Sequence, residues 1–149
     1  MMKNESHVEL VRQFIQQFWN EGDFDCAERL LTEDYVDHAY VPNNADGLKG
    51  MAGILHAAFP DQSSLEESIV TQGDRVVVRL SLRGTHKGTF RGTEATRNQV
   101  EVKVYREFRI ANGRIAEHWA LLDTASLFRQ IGAELHEQPA CPINKPQTA

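Results

Sequence analysis

The first half of the chain carries apolar residues at helical spacing. Ser6 and Glu9 fit a capping box, in which each side chain binds a free backbone amide at a helix start. Apolar residues then recur at steps of three and four: Val11, Phe14, Ile15, Phe18 and Trp19. The pattern predicts a first helix that ends at 20–23, a short second helix near 26–31, and a third helix that starts at 47–50 and stops before Pro60.

From residue 65 onwards the apolar period changes to two. Alternation predicts a moderate strand over 65–71 and half-buried strands over 76–82, 100–110 and 114–123, with a short extended segment at 35–40 and a closing helix at 124–130. Helices followed by an antiparallel sheet are typical of an α+β fold. A strongly bent sheet wrapped over three helices would enclose an apolar pocket, which is the default site for a small molecule.

Length, charge and cysteine use narrow the class of protein. The 149 residues suit one domain, predicted over 1–136, and the segment 137–149 holds three of the five prolines and is expected to be poorly ordered. A net charge of −5 argues against a nucleic-acid partner. The sequence contains no run of 18 apolar residues, so no membrane span is predicted. Cys26 and Cys141 have neither metal-ligand nor disulfide spacing, so we expect free thiols in a cytoplasmic protein.

The dipeptide Asn112-Gly113 is a strong hairpin signal that fixes strand pairing. Counting away from the turn without a gap gives these pairs: Ala111 with Arg114, Ile110 with Ile115, Phe108 with Glu117, Arg106 with Trp119, Val104 with Leu121, and Val102 with Asp123. In this register Asp123 lies on the apolar inner face, and Glu117 is close enough to pair with Arg106. His118 lies on the outer face.

Asp123 is the first candidate for chemistry. A carboxyl on an apolar wall has its pKa raised towards neutrality, which suits a general acid/base; alternatively, Asp123 caps the following helix. His86 continues the inward phase of its strand, and His38 precedes a proline-containing loop; either could equally be a hydrogen-bonded core or rim residue. Asp123, His86 and His38 have no metal-ligand spacing, so no metal is expected. The sequence has no nucleophile motif or phosphate loop, which leaves proton transfer.

Several large side chains are candidate pocket walls. Aromatic residues at helical spacing are often core residues, but those near helix ends and on the inner sheet face could also contact a ligand. The predicted substrate-binding set is Trp19, Leu55, Phe59, Phe90, Val102, Arg106 and Trp119.

An ordered series of short segments resembles the SnoaL-like polyketide cyclases, also called ester cyclases, of the NTF2-like superfamily. The segments are Asp34-Tyr-Val-Asp-His38, Ala58-Phe-Pro-Asp61, Gly73-Asp74-Arg-Val-Val77, Gly84-Thr-His86, Asn112-Gly-Arg-Ile115, Glu117-His-Trp119, Asp123 and Leu127-Phe-Arg-Gln-Ile-Gly132. The resemblance covers 8–132. One departure is Ala95-Thr-Arg97, where the family often has Pro-Thr-Gly, at the pocket rim.

The resemblance implies an NTF2-like (cystatin-like) conical barrel with a deep pocket, no cofactor, and a homodimer or homotetramer. Characterised relatives close a ring by intramolecular aldol condensation, with an Asp at the position of Asp123 as general acid/base. Histidines that match His38 and His86 line the pocket of the family. A small hydrophobic carbonyl compound is therefore the expected ligand.

Two other functions remain open on the same scaffold. One is a ketosteroid-isomerase-like or epoxide-hydrolase-like enzyme, the latter with Asp123 and Arg106 around a water. The other is a ligand-binding or oligomeric protein without chemistry. In either case the outer sheet face is the expected interface, through Lys103, Tyr105, Glu107, Arg109, His118 and Ala120.

Overall fold

A computed structural model describes residues 3–133 of the chain. The helices are α1 (Lys3–Phe14), α2 (Ala27–Leu30), α3 (Ala45–Ala58) and α4 (Thr124–Gln130). A π-helical turn, Ile15–Asn20, extends α1, and a 3₁₀ turn, Phe24–Cys26, leads into α2. The strands are β1 (Leu31–Asp37), β2 (Ser63–Gln72), β3 (Arg75–Thr85), β4 (Gln99–Ala111) and β5 (Arg114–Leu122). The predicted order of elements is confirmed.

The five strands form one mixed sheet in the order β1-β5-β4-β3-β2. β1 pairs with β5 in parallel, and the other pairs are antiparallel. β1 and β2 lie at opposite edges, so the sheet is open and does not close into a barrel. The α+β class is therefore confirmed, with an open mixed sheet in place of a continuous barrel wall.

The apolar stripe of the first helix fills the space against the inner face of the sheet. Phe14 stacks on Phe18 with ring centroids 4.9 Å apart and meets the ring of Phe108 edge-on at 6.0 Å. Leu48 and Leu55 of α3 are also buried in this core. Burial of these side chains, rather than helix propensity alone, stabilises the short helices.

A β-bulge changes the register of the β4–β5 hairpin. Ile110 pairs with Ile115 as predicted, but the next pair is Arg109 with Glu117, so Ala116 is an extra residue on β5. The predicted pairing beyond Ile115 is therefore wrong by one residue. Both Ile115 and Ala116 are buried, and the bulge is what allows two consecutive apolar residues to leave solvent.

The shift reverses the faces of the later β5 residues. His118 now pairs with Phe108 and is fully buried, whereas Leu121 pairs with Tyr105 and is 77% exposed. Trp119 pairs with Glu107 on the outer face. The predictions that Trp119 lies inside and that His118 and Ala120 lie outside are wrong for this reason.

Some predictions concern the part of the chain beyond residue 133. The domain boundary at 136, the tail 137–149 and Cys141 lie outside the described residues. Cys26 is a buried free thiol, and burial raises its pKa to about 11. Within residues 3–133, no helix combines the length and apolar character that a membrane crossing requires.

Candidate active site

A cavity of about 270 Å³ lies between the inner sheet face and helix α3. Its walls are mainly aliphatic and aromatic, with the polar side chains of Tyr40, Arg91, Arg106 and Thr124 among them. The lining residues are Ala39, Tyr40, Met51, Leu55, Leu82, Phe90, Arg91, Val104, Arg106, Ala120, Leu121, Leu122 and Thr124. This composition, apolar with a few polar groups, is typical of a small-molecule site.

Arg106 of β4 is the buried polar group of the cavity. It is 3% exposed, and its Nη1 donates hydrogen bonds of 3.2 Å to the Tyr40 hydroxyl and 3.2 Å to Nε2 of His118. The guanidinium also lies over the ring of Trp19, 4.0 Å from its centroid. Tyr40 accepts from Arg106 and therefore keeps its own O–H to donate to a ligand.

Asp37, at the end of β1, holds His118 in one tautomer. Its Oδ2 lies 3.1 Å from Nδ1 of His118 and accepts a 2.6 Å hydrogen bond from the Tyr35 hydroxyl. Its Oδ1 accepts from the backbone amides of residues 39 and 40, at 2.8 and 3.1 Å. Nδ1 of His118 is therefore the protonated nitrogen, and Nε2 is the acceptor for Arg106.

Burial and neighbouring charges determine the ionisation of this cluster. Burial lowers the pKa of His118, and the charge of Arg106 lowers it further, so the imidazole is neutral. Burial by itself would raise the pKa of Asp37, but hydrogen bonds from His118 and Tyr35 outweigh it and lower that pKa. Burial and the charge of Asp37 raise the pKa of the Tyr35 phenol. The cluster thus holds one carboxylate, one guanidinium and neutral groups between them.

Four of the predicted ligand contacts lie at or beside this cavity. Leu55, Phe90 and Arg106 line it. Trp19 lies against the guanidinium of Arg106 and is 1% exposed. Helical periodicity predicted the inward direction of Leu55 and Trp19, and strand alternation that of Arg106, because neither depends on the register of the hairpin. Phe90 lies in the loop between β3 and β4, outside both patterns.

Asp123 does not lie on the apolar wall. The carboxylate is exposed and caps helix α4, accepting hydrogen bonds from the amide N of Ser126 at 3.1 Å and its hydroxyl at 2.7 Å. These bonds lower the pKa of Asp123. The predicted inward placement, with a pKa near neutrality, is wrong, and the helix-cap alternative is confirmed. Its two neighbours, Leu122 and Thr124, line the cavity, so Asp123 sits beside the cavity rim.

His38 and Trp119 lie together on the outer face of the sheet. Their rings stack 4.7 Å apart, and Nε2 of His38 lies 2.7 Å from Oε1 of Glu117. Glu117 also accepts from Arg109. The predicted pair between Glu117 and Arg106 is therefore wrong, again because the bulge turns Glu117 outwards.

His86, Phe59 and Val102 are buried behind the cavity and do not line it. Nδ1 of His86 accepts a 3.2 Å hydrogen bond from the amide of Thr96, and its ring centroid lies 5.5 Å from that of Phe59. The predicted inward direction of His86 is thus confirmed, but the structure does not bring its imidazole to the ligand space.

The sequence reasoning missed Asp37, Tyr40 and His118. Asp37 and Tyr40 reach the site because β1 pairs in parallel with β5, a contact that periodicity does not indicate. The loop 38–44, between β1 and α3, packs closely on Gly47 of α3, where a Cβ would be 1.9 Å from the carbonyl oxygen of Pro42. The adjacent apolar pair Ile115-Ala116 was the available signal for the bulge that brings His118 inside.

The family model of the SnoaL-like polyketide cyclases matches residues 9–131. No curated protein sequence matches the chain. The sequence match spans all five strands and the cavity described above.

Solved structures share the fold over most of their length. TsrD from Streptomyces laurentii superposes with a TM-score of 0.80 at 25% identity, covering 90% of this chain and all (100%) of that chain. IdmH from Streptomyces antibioticus, a proposed polyketide cyclase, gives a TM-score of 0.76 at 28% identity over 85% of this chain and 99% of its own. A protein from Jannaschia sp. CCS1, proposed to be a SnoaL-like polyketide cyclase, gives 0.78 at 22% identity over 88% and 94%, which supports the fold alone.

Proposed function

The chain belongs to the SnoaL-like polyketide cyclase family, and from this we propose that it catalyses a cofactor-free, aldol-type ring closure of a small hydrophobic carbonyl compound. The observation that carries the proposal is the hydrogen-bonded pair of buried Arg106 and half-buried Tyr40 in an otherwise largely apolar cavity of about 270 Å³. A fixed guanidinium and a free phenol O–H are the donors that a developing enolate oxygen requires.

In the proposed reaction the substrate carbonyl oxygen faces the Arg106–Tyr40 pair. A base removes a proton from the adjacent carbon, and the electron pair of that C–H bond becomes the enolate. The enolate carbon attacks a second carbonyl of the same molecule, so that a C–C bond forms and the second oxygen becomes an alkoxide. The proton held by the base returns to the alkoxide. The product is an isomer of the substrate, and no oxidant or reductant takes part.

We propose Asp123 as the base. Two points support this role. Its sequence neighbours Leu122 and Thr124 line the cavity, and the resemblance to the family implies an acid/base Asp at this position. Because hydrogen bonds from Ser126 lower the pKa of Asp123, the carboxylate is ionised at neutral pH and able to accept a proton. His38 and His86 do not line the cavity: the His38 ring stacks on Trp119 at the outer sheet face, and His86 is held by Thr96, so we assign them no role in the reaction.

Hydrogen exchange in a simple ketone tests the first step. 2-Tetralone, a bicyclic ketone, is incubated with the protein in D₂O, and loss of its α-hydrogen signals is followed by NMR. We expect faster exchange with the folded protein than with the same chain unfolded in urea, because Arg106 stabilises the enolate only when the cavity is formed. Equal rates would contradict the proposed function.

Product analysis then separates the possible reactions. A ring closure leaves the substrate mass unchanged and creates a hydroxyl-bearing ring, whereas epoxide hydrolysis adds one water. A ketosteroid-type isomerisation also conserves mass but only moves a double bond. Incubation with an aryl keto-aldehyde, a β,γ-unsaturated ketone and an aryl epoxide, followed by mass spectrometry and NMR, assigns the activity. Turnover of the epoxide alone would contradict ring closure.

We also propose that the outer sheet face binds a second copy of the chain. A groove of about 500 Å³ on this face is lined by Val77, Tyr105, Trp119 and Leu121, and the side chain of Tyr105 is half exposed. Charges of both signs surround the groove, with Arg75 paired to Glu107 and Arg109 to Glu117. An apolar centre with mixed charges around it is self-complementary, as a two-fold interface requires.

Mass measurement tests the association. Size-exclusion chromatography with light scattering is expected to give twice the chain mass of 16.9 kDa for the wild type. Tyr105→Lys is expected to give a monomer, because it places a charge at the centre of the groove. Ile54→Lys, at an exposed position of α3, is the matched control and should remain a dimer. A monomeric wild type at micromolar concentration would contradict the proposal.

A further inference from the structure

Arg106 is a buried cation whose direct partners are all neutral. Its Nη1 contacts the Tyr40 hydroxyl and Nε2 of His118, and its Cζ lies over the indole of Trp19, 4.0 Å from the ring centroid. Among the described residues it forms no salt bridge, and the carboxylate of Asp37 is reached only through His118. A buried ion is stabilised mainly by direct pairing, so this guanidinium has an unfilled requirement for negative charge.

Two buried donors at this position also have no acceptor within the described residues. Nε of Arg106 is one, and Nε1 of Trp19, in the ring beneath the same guanidinium, is the other. Buried N–H groups in folded proteins nearly always have a partner. The cluster therefore has an excess of donors and a deficit of acceptors beside a cavity that can hold a ligand.

The cavity lining has the same bias in charge. It contains two arginines, Arg106 inside and the exposed Arg91, and no aspartate or glutamate. The chain as a whole has a net charge of −5, so a cationic cavity does not follow from overall composition. The surrounding walls are apolar, which increases the effect of a charge because the local dielectric is low.

We propose that the ligand of this cavity is a hydrophobic organic anion, whose carboxylate or ionised 1,3-dicarbonyl oxygen pairs with Arg106, in preference to a neutral ketone. The inference rests on the proposed function, since it assumes the same cavity and names the class of its substrate. An ionised 1,3-dicarbonyl is itself a stabilised enolate, and a carboxylate offers two acceptor oxygens to the guanidinium fork.

Binding to the wild-type protein provides the decisive test. Isothermal titration is carried out with 2-naphthoate, with the enolate of 2-acetyl-1,3-indandione, and with the neutral 2-acetonaphthone. We expect at least one anion to bind tenfold or more tightly than the neutral ketone. Preference for naphthoate alone assigns a carboxylate, and preference for the indandione alone assigns a 1,3-dicarbonyl. Equal affinity for the neutral ketone, or no binding of either anion, would overturn the inference.

Two arginine variants locate the effect. Arg106→Gln is expected to reduce the tenfold preference to near unity, whereas Arg114→Gln, which removes a positive charge from the exposed β4–β5 hairpin, should retain it. If Arg106→Gln does not fold, as judged by circular dichroism, the comparison of ligands on the wild type still decides. Anion preference without exchange of 2-tetralone would contradict the proposed function alone, and exchange without anion preference would contradict this inference alone.

Discussion

Asp123→Asn is expected to lower the rate of α-hydrogen exchange in 2-tetralone about 100-fold, because a positioned general base contributes on the order of 10²–10⁴ to such a rate. The folded structure should be retained. The amide oxygen of Asn can still accept from the backbone N–H of Ser126, and Asn is as good a helix cap as Asp. We expect only a small change in the free energy of unfolding, most of it from the lost charge at the helix N-terminus.

Two comparisons separate the base from the cap. Ser126→Ala removes the hydroxyl that bonds the carboxylate but leaves the carboxylate itself, so exchange should persist. Asp123→Ala removes both the carboxylate and the helix cap, so it should lose stability together with the activity. An Asp123→Asn protein that exchanges at the wild-type rate would show that Asp123 is only a cap.

The pH dependence of the exchange rate distinguishes the exposed Asp123 of the structure from the inward-facing Asp123 that the sequence predicted. A carboxyl on an apolar wall would lose its activity as a base below about neutral pH. The exposed, hydrogen-bonded carboxylate has its pKa lowered from 3.8, so activity that depends on its ionised form should be constant through neutrality and fall only in strong acid. The same α-hydrogen exchange measurements, repeated across pH, provide this profile.

Local pattern was sufficient to predict the elements of this fold. The stripe from Val11 to Trp19, the alternation of β3 and the Asn112-Gly113 turn each involve residues close in sequence, whose geometry is set by the backbone period. The predicted capping box of Ser6 and Glu9 is wrong, because α1 is helical from Lys3 and both residues lie inside it. The α+β class follows from their order. The same local patterns brought Leu55 and Arg106 to the cavity.

The rest of the site depends on two features that periodicity does not contain. The bulge at Ala116 exchanges the faces of His118 and Trp119, and a one-residue slip affects every later side chain of the strand. The parallel pairing of β1 with β5 then brings Asp37 to His118, although 81 positions separate them in the sequence. The pairing of β1 with β5 has no sequence signature of its own, and the signal for the bulge is limited to the adjacent apolar pair Ile115-Ala116.

These two features meet at Asp37, and truncation there is expected to have the largest effect on stability. Asp37→Ala should lower the free energy of unfolding by about 3–5 kcal/mol, because several buried donors lose their acceptor at a cost of about 1–3 kcal/mol each. The fully buried carboxylate accepts from Tyr35, His118 and two backbone amides, all of which would lose their acceptor. Asp34→Ala, at an exposed position on the same strand, should change stability by less than about 0.5 kcal/mol.

Urea unfolding at two pH values shows whether the charge or the shape of the Asp37 side chain contributes more to the free energy of unfolding. Hydrogen bonds lower the pKa of Asp37 below 3.8, so its ionised form stabilises the protein above that pH, and this contribution is lost as the pH falls through the lowered value. Asp37→Asn keeps the size of the side chain and removes the charge; it should therefore be clearly destabilised at pH 7 and differ less from the wild type in acid. A wild-type value for Asp37→Ala at pH 7 would mean that Arg106 and His118 are held by packing alone, and that the carboxylate of β1 does not position the site.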